Sequence, residues 1–337
     1  GGMSPFNSTS GAWETQWPNK PDIVFEGGNS AIHPTGFVGS HVELSPISLH
    51  SNFRENLFLP FNGTSSAAAL AAKMMAELRT AYPDYWAETI RGLMIHSADW
   101  TEAMLEGRDI SSESDRRAIL RSVGYGVPNL FKAINSANNS LTLIAEEEIQ
   151  PYHKVNSDIK TNEYHLFKLP WPKDILLNEV AENDAKITVT LSYFIEPNPG
   201  NKQYSRSFYY HSHELDYKLI KAGESLDVFK RRISSADADD SEEKPDLKTE
   251  KWVIRENVRS KGSVKKDFFE TSGAELSDRF YLAVYPKNGW YRSRKKLEKF
   301  DSKVKYSLII TIETVKMDVD IYTPIETLIK TAIPIST

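Results

Sequence analysis

The feature that most constrains how this chain folds is a polar turn opening directly into an apolar helix: Phe61-Asn62-Gly63-Thr64-Ser65-Ser66-Ala67-Ala68-Ala69-Leu70-Ala71-Ala72-Lys73-Met74-Met75-Ala76-Glu77-Leu78. Glycine allows the backbone to turn sharply and to approach a ligand closely. The pattern predicts Thr64 as N-cap of a helix over 65–79, with Leu70, Met74, Met75 and Leu78 as its larger apolar residues. The first N–H groups of such a helix lack partners and its N-terminus carries partial positive charge. A serine held there has its hydroxyl in a field that favours negative charge, and its own N–H can donate to a tetrahedral oxyanion. Ser65 is therefore the candidate nucleophile, supported by Asn62, Gly63 and Thr64. The run of alanines predicts close packing on all sides, with the helix buried in the middle of a domain.

With 337 residues, 40% hydrophobic and 26% charged, the chain has material for two ordinary domains. The formal net charge of −5 implies no global attraction to nucleic acid or to an anionic membrane. The absence of cysteine removes disulfides, thiolate catalysis and Cys-ligated zinc together, and favours a reducing compartment. No apolar run approaches the roughly 20 residues that cross a bilayer. The opening Gly1-Gly2-Met3-Ser4-Pro5 has neither a basic n-region nor an apolar h-region, and reads as a tag remnant or as the middle of a longer protein.

In chain order, residues 1–22 are rich in Gly, Pro, Ser, Asn and Trp and read as a surface loop. Lys20-Pro21-Asp22-Ile23-Val24-Phe25-Glu26-Gly27-Gly28-Asn29 fits one buried strand ending in a turn, and 30–60 reads as loop with short extended pieces. After the opening helix, spacing predicts helices over 87–97 and 114–121, then a fourth after Gly124-Tyr125-Gly126-Val127-Pro128, so that 61–138 is helical and compact. Beyond Asn139 the character changes. Segments 141–146, 164–169, 186–195, 205–210, 280–285 and 304–314 are rich in β-branched and aromatic residues, and several alternate. Ile187, Val189, Leu191 and Tyr193 share one strand face, as do Tyr306, Leu308, Ile310 and Ile312. Strands with irregular loops and little helix predict an antiparallel β-sandwich or jelly roll over 151–337, with a boundary near Gln150-Pro151.

Asn62-Gly63-Thr64-Ser65-Ser66-Ala67 resembles the nucleophile motif of the subtilisin-like serine peptidases (subtilases, peptidase family S8). The resemblance extends to order. In that family the serine starts a buried helix, a proline-marked turn (here Tyr82-Pro83) leads to a second helix, and a Gly-x-Gly turn (here Gly124-Tyr125-Gly126) precedes a last short helix. Lys20-Pro21-Asp22-Ile23-Val24 likewise looks like the strand ahead of the nucleophile, so the likeness covers about 18–138. One departure is Ala69, where the family usually carries proline. The larger one is absence: the family's catalytic Asp, His and oxyanion Asn precede the serine in that order, and little more than sixty residues precede Ser65. His33, His41 and His50 lack the family's following Gly-Thr, Asn29 follows Gly-Gly but reads as a turn residue, and His96 reads as a packed or half-exposed helix residue. The resemblance implies an α/β plus β protein, with 1–150 the C-terminal portion of a subtilisin-like α/β domain and 151–337 the antiparallel domain. It implies a serine endopeptidase acting through an acyl-enzyme at Ser65, here a fragment whose catalytic Asp and His lie outside the chain, inactive or nearly so alone. The alternative is a non-catalytic module in which the β-domain binds a protein partner and the peptidase part is scaffold.

The implied partners are a polypeptide substrate and the N-terminal part of the same peptidase domain, without nucleic acid, membrane, metal or cofactor. The β-domain also resembles that of bacterial cytoplasmic subtilisin-like proteins, some encoded beside an AAA-type ATPase, which suggests a cytoplasmic location and possible ATPase association. Three further signals carry bland readings. His211-Ser212-His213 places two imidazoles on one face of a predicted strand, a spacing compatible with metal but without a third ligand. Residues 234–245 are rich in carboxylates yet lack an EF-hand pattern and read as a solvated loop. Arg292-Ser293-Arg294-Lys295-Lys296 is a local basic loop.

Overall fold

The computed structural model describes residues 3–14, 17–135, 140–180, 185–200, 210–238 and 251–314. They fall into two units, the first made of 1–14, 18–85 and 93–134, the second of 15–17, 86–92 and 135–337. No helix among the described residues is long and apolar enough to cross a membrane.

The first unit begins with loops and two antiparallel ribbons of three-residue strands. β1 (Ser30–Ile32) pairs with β2 (Val38–Ser40), and β3 (Ile47–Leu49) with β4 (Phe58–Pro60). Then come α1 (Thr64–Ala81), α2 (Ala87–His96, whose first residues belong to the second unit), α3 (Glu102–Leu105), α4 (Glu113–Val123) and α5 (Leu130–Ile134). Met74 and Leu78 on α1, and Ile119, Leu120 and Val123 on α4, are buried at the i, i+3, i+4 spacings of helix faces, whereas the consecutive Leu93, Met94 and Ile95 of α2 are all buried. Two buried arginines tie loops to α4. Arg116 Nη1 donates to the carbonyls of Ile110 and Ser111, and Arg121 donates to those of Trp13 and Glu14.

Two sequence expectations fail in this unit. The Asp22–Phe25 stretch is half-buried but no strand of a sheet: Tyr125 N donates to Asp22 O and Val24 N to Gly126 O, so its bonds go to a turn. No parallel strand pair occurs among the described residues, and the architecture is α plus β with antiparallel sheets. A parallel sheet needs several strands joined by crossovers, and one extended segment cannot form one. The helix α1 is also not enclosed, since of its eighteen residues only Ser66, Met74 and Leu78 are buried.

In the second unit, β5 (Ser140–Ile149), the hairpin β6 (Tyr152–Val155) with β7 (Asp158–Thr161), β8 (His165–Lys168) and α6 (Lys173–Asn178) come first. There follow β9 (Ala185–Tyr193), β10 (Glu214–Leu219), α7 (Leu226–Ala238), α8 (Glu256–Arg259), β11 (Val264–Thr271), α9 (Gly273–Asp278), β12 (Tyr281–Lys287), α10 (Trp290–Ser293) and β13 (Val304–Thr314). One sheet runs β11-β9-β13-β5 and another β10-β12-β8, all pairs antiparallel.

The period of two organises this unit into layers. Ile187, Val189 and Leu191 of β9, Leu308 and Ile310 of β13, Leu215 and Tyr217 of β10, and Leu282 and Val284 of β12 meet in one core. The alternate residues of β12, Ala283 and Tyr285, join Leu166 of β8 and Phe229 and Ile233 of α7 in a second cluster. On the other face of the four-stranded sheet lies residue 92. A Cβ there would come within 2.8 Å of Ile309 Cδ1 and 3.3 Å of Ser192 Cβ, so a larger residue would have to displace the end of the Ile309 side chain. Arg91 anchors the same turn through Ser192 Oγ, Tyr193 O and Ser263 O.

The second half holds more helix than its sequence predicts, and strands β6, β7, β10 and β11 that the pattern did not announce. Of the predicted 205–210 strand, 205–209 lie outside the described residues. The carboxylate-rich stretch 234–245 begins inside α7, and its remainder from 239 also lies outside them.

Candidate active site

Gly63, not Thr64, is the N-cap of α1. It adopts φ 127°, ψ 169°, a region closed to residues with a Cβ, and a Cβ there would meet nothing within 4 Å. The requirement for glycine is thus conformational rather than spatial. Thr64 is already helical and exposed, and no side chain caps the helix. The start of α1 is therefore set by a backbone turn, leaving its first N–H groups for another acceptor.

Consecutive helical residues diverge by about 100°, and the two adjacent serines take opposite surroundings. Ser65 is exposed, and its Oγ has no hydrogen-bond partner among the described residues. Ser66 is buried, and its Oγ faces the carbonyl oxygens of Gly63 at 3.0 Å and Glu26 at 3.3 Å. Gly63 N donates to Gly27 O at 2.8 Å. A Cβ on Gly28 would collide with the Asn62 amide, which covers it. The Glu26-Gly27-Gly28 step and the Asn62–Ser66 elbow are thus laced together. The contact of Ser66 with Glu26 was not legible, because a serine following a serine carries no pattern.

The upstream histidines are set up for another task. Asn52 N donates to His50 Nδ1 at 2.9 Å, Glu43 N to His41 Nδ1 at 3.3 Å and Thr35 N to His33 Nδ1 at 3.3 Å. Each imidazole closes a turn two residues ahead. An Nδ1 that accepts a backbone N–H leaves the proton on Nε2, whereas a serine-activating histidine needs Nδ1–H held by a carboxylate and a free Nε2 lone pair. Asn29 is exposed and its Oδ1 accepts from Ser30 N, a turn role. His96 is half-buried near the end of α2.

Elsewhere, His211-Ser212-His213 precedes β10 instead of lying on it, because Glu214 is the first residue that pairs with β12. Ser212 Oγ lies 2.9 Å from His213 Nδ1, His211 Nε2 lies 3.0 Å from Asn288 O, and the His213 ring sits between Tyr193 and Tyr291. Burial, with His211 beside it, pushes His213 down to about 3. No group of three or more His, Asp or Glu able to hold a metal occurs among the described residues. In the basic loop, Arg292 donates to Ile159 O and Asn288 Oδ1, while Lys295 donates to Ser157 O and reaches Asp158, which pins it to the β6–β7 hairpin.

Residues 1–126, which include the whole elbow, match the sequence model of the subtilase family (peptidase S8), and this part of the chain is a subtilisin-like peptidase segment. A curated relative, the uncharacterized protein y4bN of Sinorhizobium fredii (strain NBRC 101917 / NGR234), is 23% identical over 281 residues, covering 80% of this chain. The chain spans 59% of that relative's length.

Proposed function

We propose that the chain is the nucleophile-bearing part of a subtilisin-like serine endopeptidase. Ser65 Oγ attacks the carbonyl carbon of a peptide bond in a polypeptide substrate, and the Ser65 N–H at the start of α1 donates to the oxyanion. The acyl-enzyme at Ser65 is then hydrolysed by water. A histidine takes the Ser65 hydroxyl proton and gives it to the leaving amine as the C–N bond breaks, an aspartate orients and stabilises the imidazolium, and an asparagine completes the oxyanion hole, all three supplied by an N-terminal part of the same peptidase domain. The observation that carries the reading is the exposed, unpartnered Ser65 Oγ behind a glycine-only turn, beside a buried Ser66 whose hydroxyl is committed to carbonyls.

The surroundings of Ser65 support a site that another segment completes. Ala68, Ala69 and Ala72 on α1 are exposed together with Leu70 and Met75, and residues 29–61 contain no buried residue. The second unit, from about residue 135, is read as an appended β-sandwich because side chains of two antiparallel sheets share one core. A cytoplasmic setting fits the absence of cysteine; association with an AAA-type ATPase is part of the same reading.

Incubation of the purified chain with a fluorophosphonate, followed by peptide mapping, tests this. The expected result is slow modification confined to Ser65 and abolished by Ser65→Ala. Modification at another serine would overturn the assignment of the nucleophile. Modification at the rate of a complete peptidase would overturn the claim that the base lies outside the chain.

A further inference from the structure

We infer that Ser66 is the positioning residue of the elbow: its hydroxyl locks the Glu26–Gly28 segment to the start of α1 and so holds Ser65 outward in its reactive geometry. The inference rests on the reading of Ser65 as nucleophile. Four contacts carry it. Ser66 Oγ lies 3.0 Å from Gly63 O and 3.3 Å from Glu26 O, Ser66 N donates to Gly63 O at 3.1 Å, and Gly63 N donates to Gly27 O at 2.8 Å. One hydroxyl proton shared between a carbonyl of the turn and a carbonyl of the neighbouring segment ties together two pieces of chain forty residues apart.

The lock matters because Ser66 Oγ is the side-chain tie on a turn otherwise held by backbone bonds, from Gly63 N to Gly27 O and from Ser66 N to Gly63 O. Gly63 is the N-cap without a side-chain bond, and glycine leaves its φ and ψ the widest freedom of any residue. A nucleophile displaced by about 1 Å loses much of its reactivity, since near-attack geometry demands reacting atoms about 3–3.5 Å apart. Neighbouring contacts converge on the same place: Gly28 N donates to Glu26 Oε1 at 2.8 Å and Ser4 Oγ to Gly28 O at 2.5 Å. They anchor the Glu26–Gly28 segment, and Ser66 transmits that anchorage to α1.

Amide hydrogen exchange on the whole chain, read residue by residue, tests the lock. In Ser66→Ala the amides of Gly63 and Ser66 should exchange about tenfold faster, while those around Met74 and Leu78 on the same helix stay unchanged. Ser66→Thr, which keeps a hydroxyl, should restore protection, and Ser66→Val, of the same shape without it, should behave like Ser66→Ala. Unchanged exchange in Ser66→Ala, or equal behaviour of the Thr and Val variants, overturns the inference. Fluorophosphonate labelling of the same variants separates it from the reading beneath it. Slower labelling of Ser65 in Ser66→Ala and Ser66→Val, but not in Ser66→Thr, is the result expected of a positioning residue. An adduct elsewhere than Ser65 in the unmodified chain removes the nucleophile, and with it Ser66's catalytic purpose, whatever the exchange shows.

Discussion

At Gly63 the backbone conformation is the whole argument for the residue, because a Cβ there would touch nothing. Gly63→Ala should therefore cost about 1–3 kcal/mol through strain alone, measurable by urea unfolding. A loss under about 0.5 kcal/mol would show that the turn relaxes and that glycine is dispensable there. His213 makes a second single-residue case, with a pH signature. Its folded pKa of about 3 lies below the 6.5 of an exposed imidazole, so between those values the unfolded chain binds a proton that the folded chain refuses. Stability from this group is complete above pH 6.5 and is lost as pH falls towards 3, with a slope of about 1.4 kcal/mol per pH unit. His213→Phe should flatten the dependence of unfolding free energy on pH over 6 to 4 by about that slope. Parallel curves for the two proteins would show that His213 becomes protonated without opening the fold.

Among the elements, β10 and β11 carry a network of buried charge. Asp216, fully buried, lies 2.7 Å from Lys287 Nζ, 3.5 Å from Lys265 Nζ and 3.6 Å from Arg259, and these cations hold its carboxyl far below the usual range despite its burial. Asp267 pairs with Arg259 at 3.0 Å and Glu214 with Lys265 at 2.7 Å. Removing one partner strands the others in low dielectric, so Asp216→Ala should cost about 3–5 kcal/mol. The exposed i,i+4 pair Lys73–Glu77 should lose no more than about 0.5 kcal/mol on Glu77→Ala. Similar losses at both positions in thermal or urea unfolding would contradict a buried network. The same charges explain why these strands were not legible. Glu214, Asp216, Lys265 and Asp267 occupy alternate positions and read as solvent-facing, whereas pairing lets them be buried. By contrast β13 follows its apolar alternation over its full 304–314 span, and α2 and α4 follow the helical period. The error at α1 ran the other way. Small apolar residues announce a surface that will be covered without saying by what, and on this helix they stay exposed. The place of Ser65 at a helix start was legible because a Gly-Thr-Ser turn ahead of an apolar run has a mechanism attached; the turns that His41 and His50 close through Nδ1 were not, because they depend on local backbone geometry.

At the scale of the whole molecule, buried surface is unevenly distributed. Two sheets and their helices give the second unit an extensive core, while the ribbons just ahead of Ser65 have none. Ile32, opposite Val38, is 75% exposed, and Leu49, opposite Phe58, is 77% exposed. Two-stranded ribbons of this size are marginal alone, and proteins that work as monomers seldom leave so many large apolar side chains in water. On the proposed reading, the ribbons are a surface that a completing segment of the peptidase domain would cover. Leu49→Gln with Phe58→Gln should leave the melting temperature nearly unchanged, because neither side chain is buried here, yet should reduce binding of a hydrophobic dye such as ANS and the chain's self-association in light scattering. A fall in stability of about 2 kcal/mol or more, the cost of uncovering a packed side chain, would mean that the chain itself buries these residues in solution. The ribbons would then be part of the chain's own interior, and the proposal that a further segment covers them would fail.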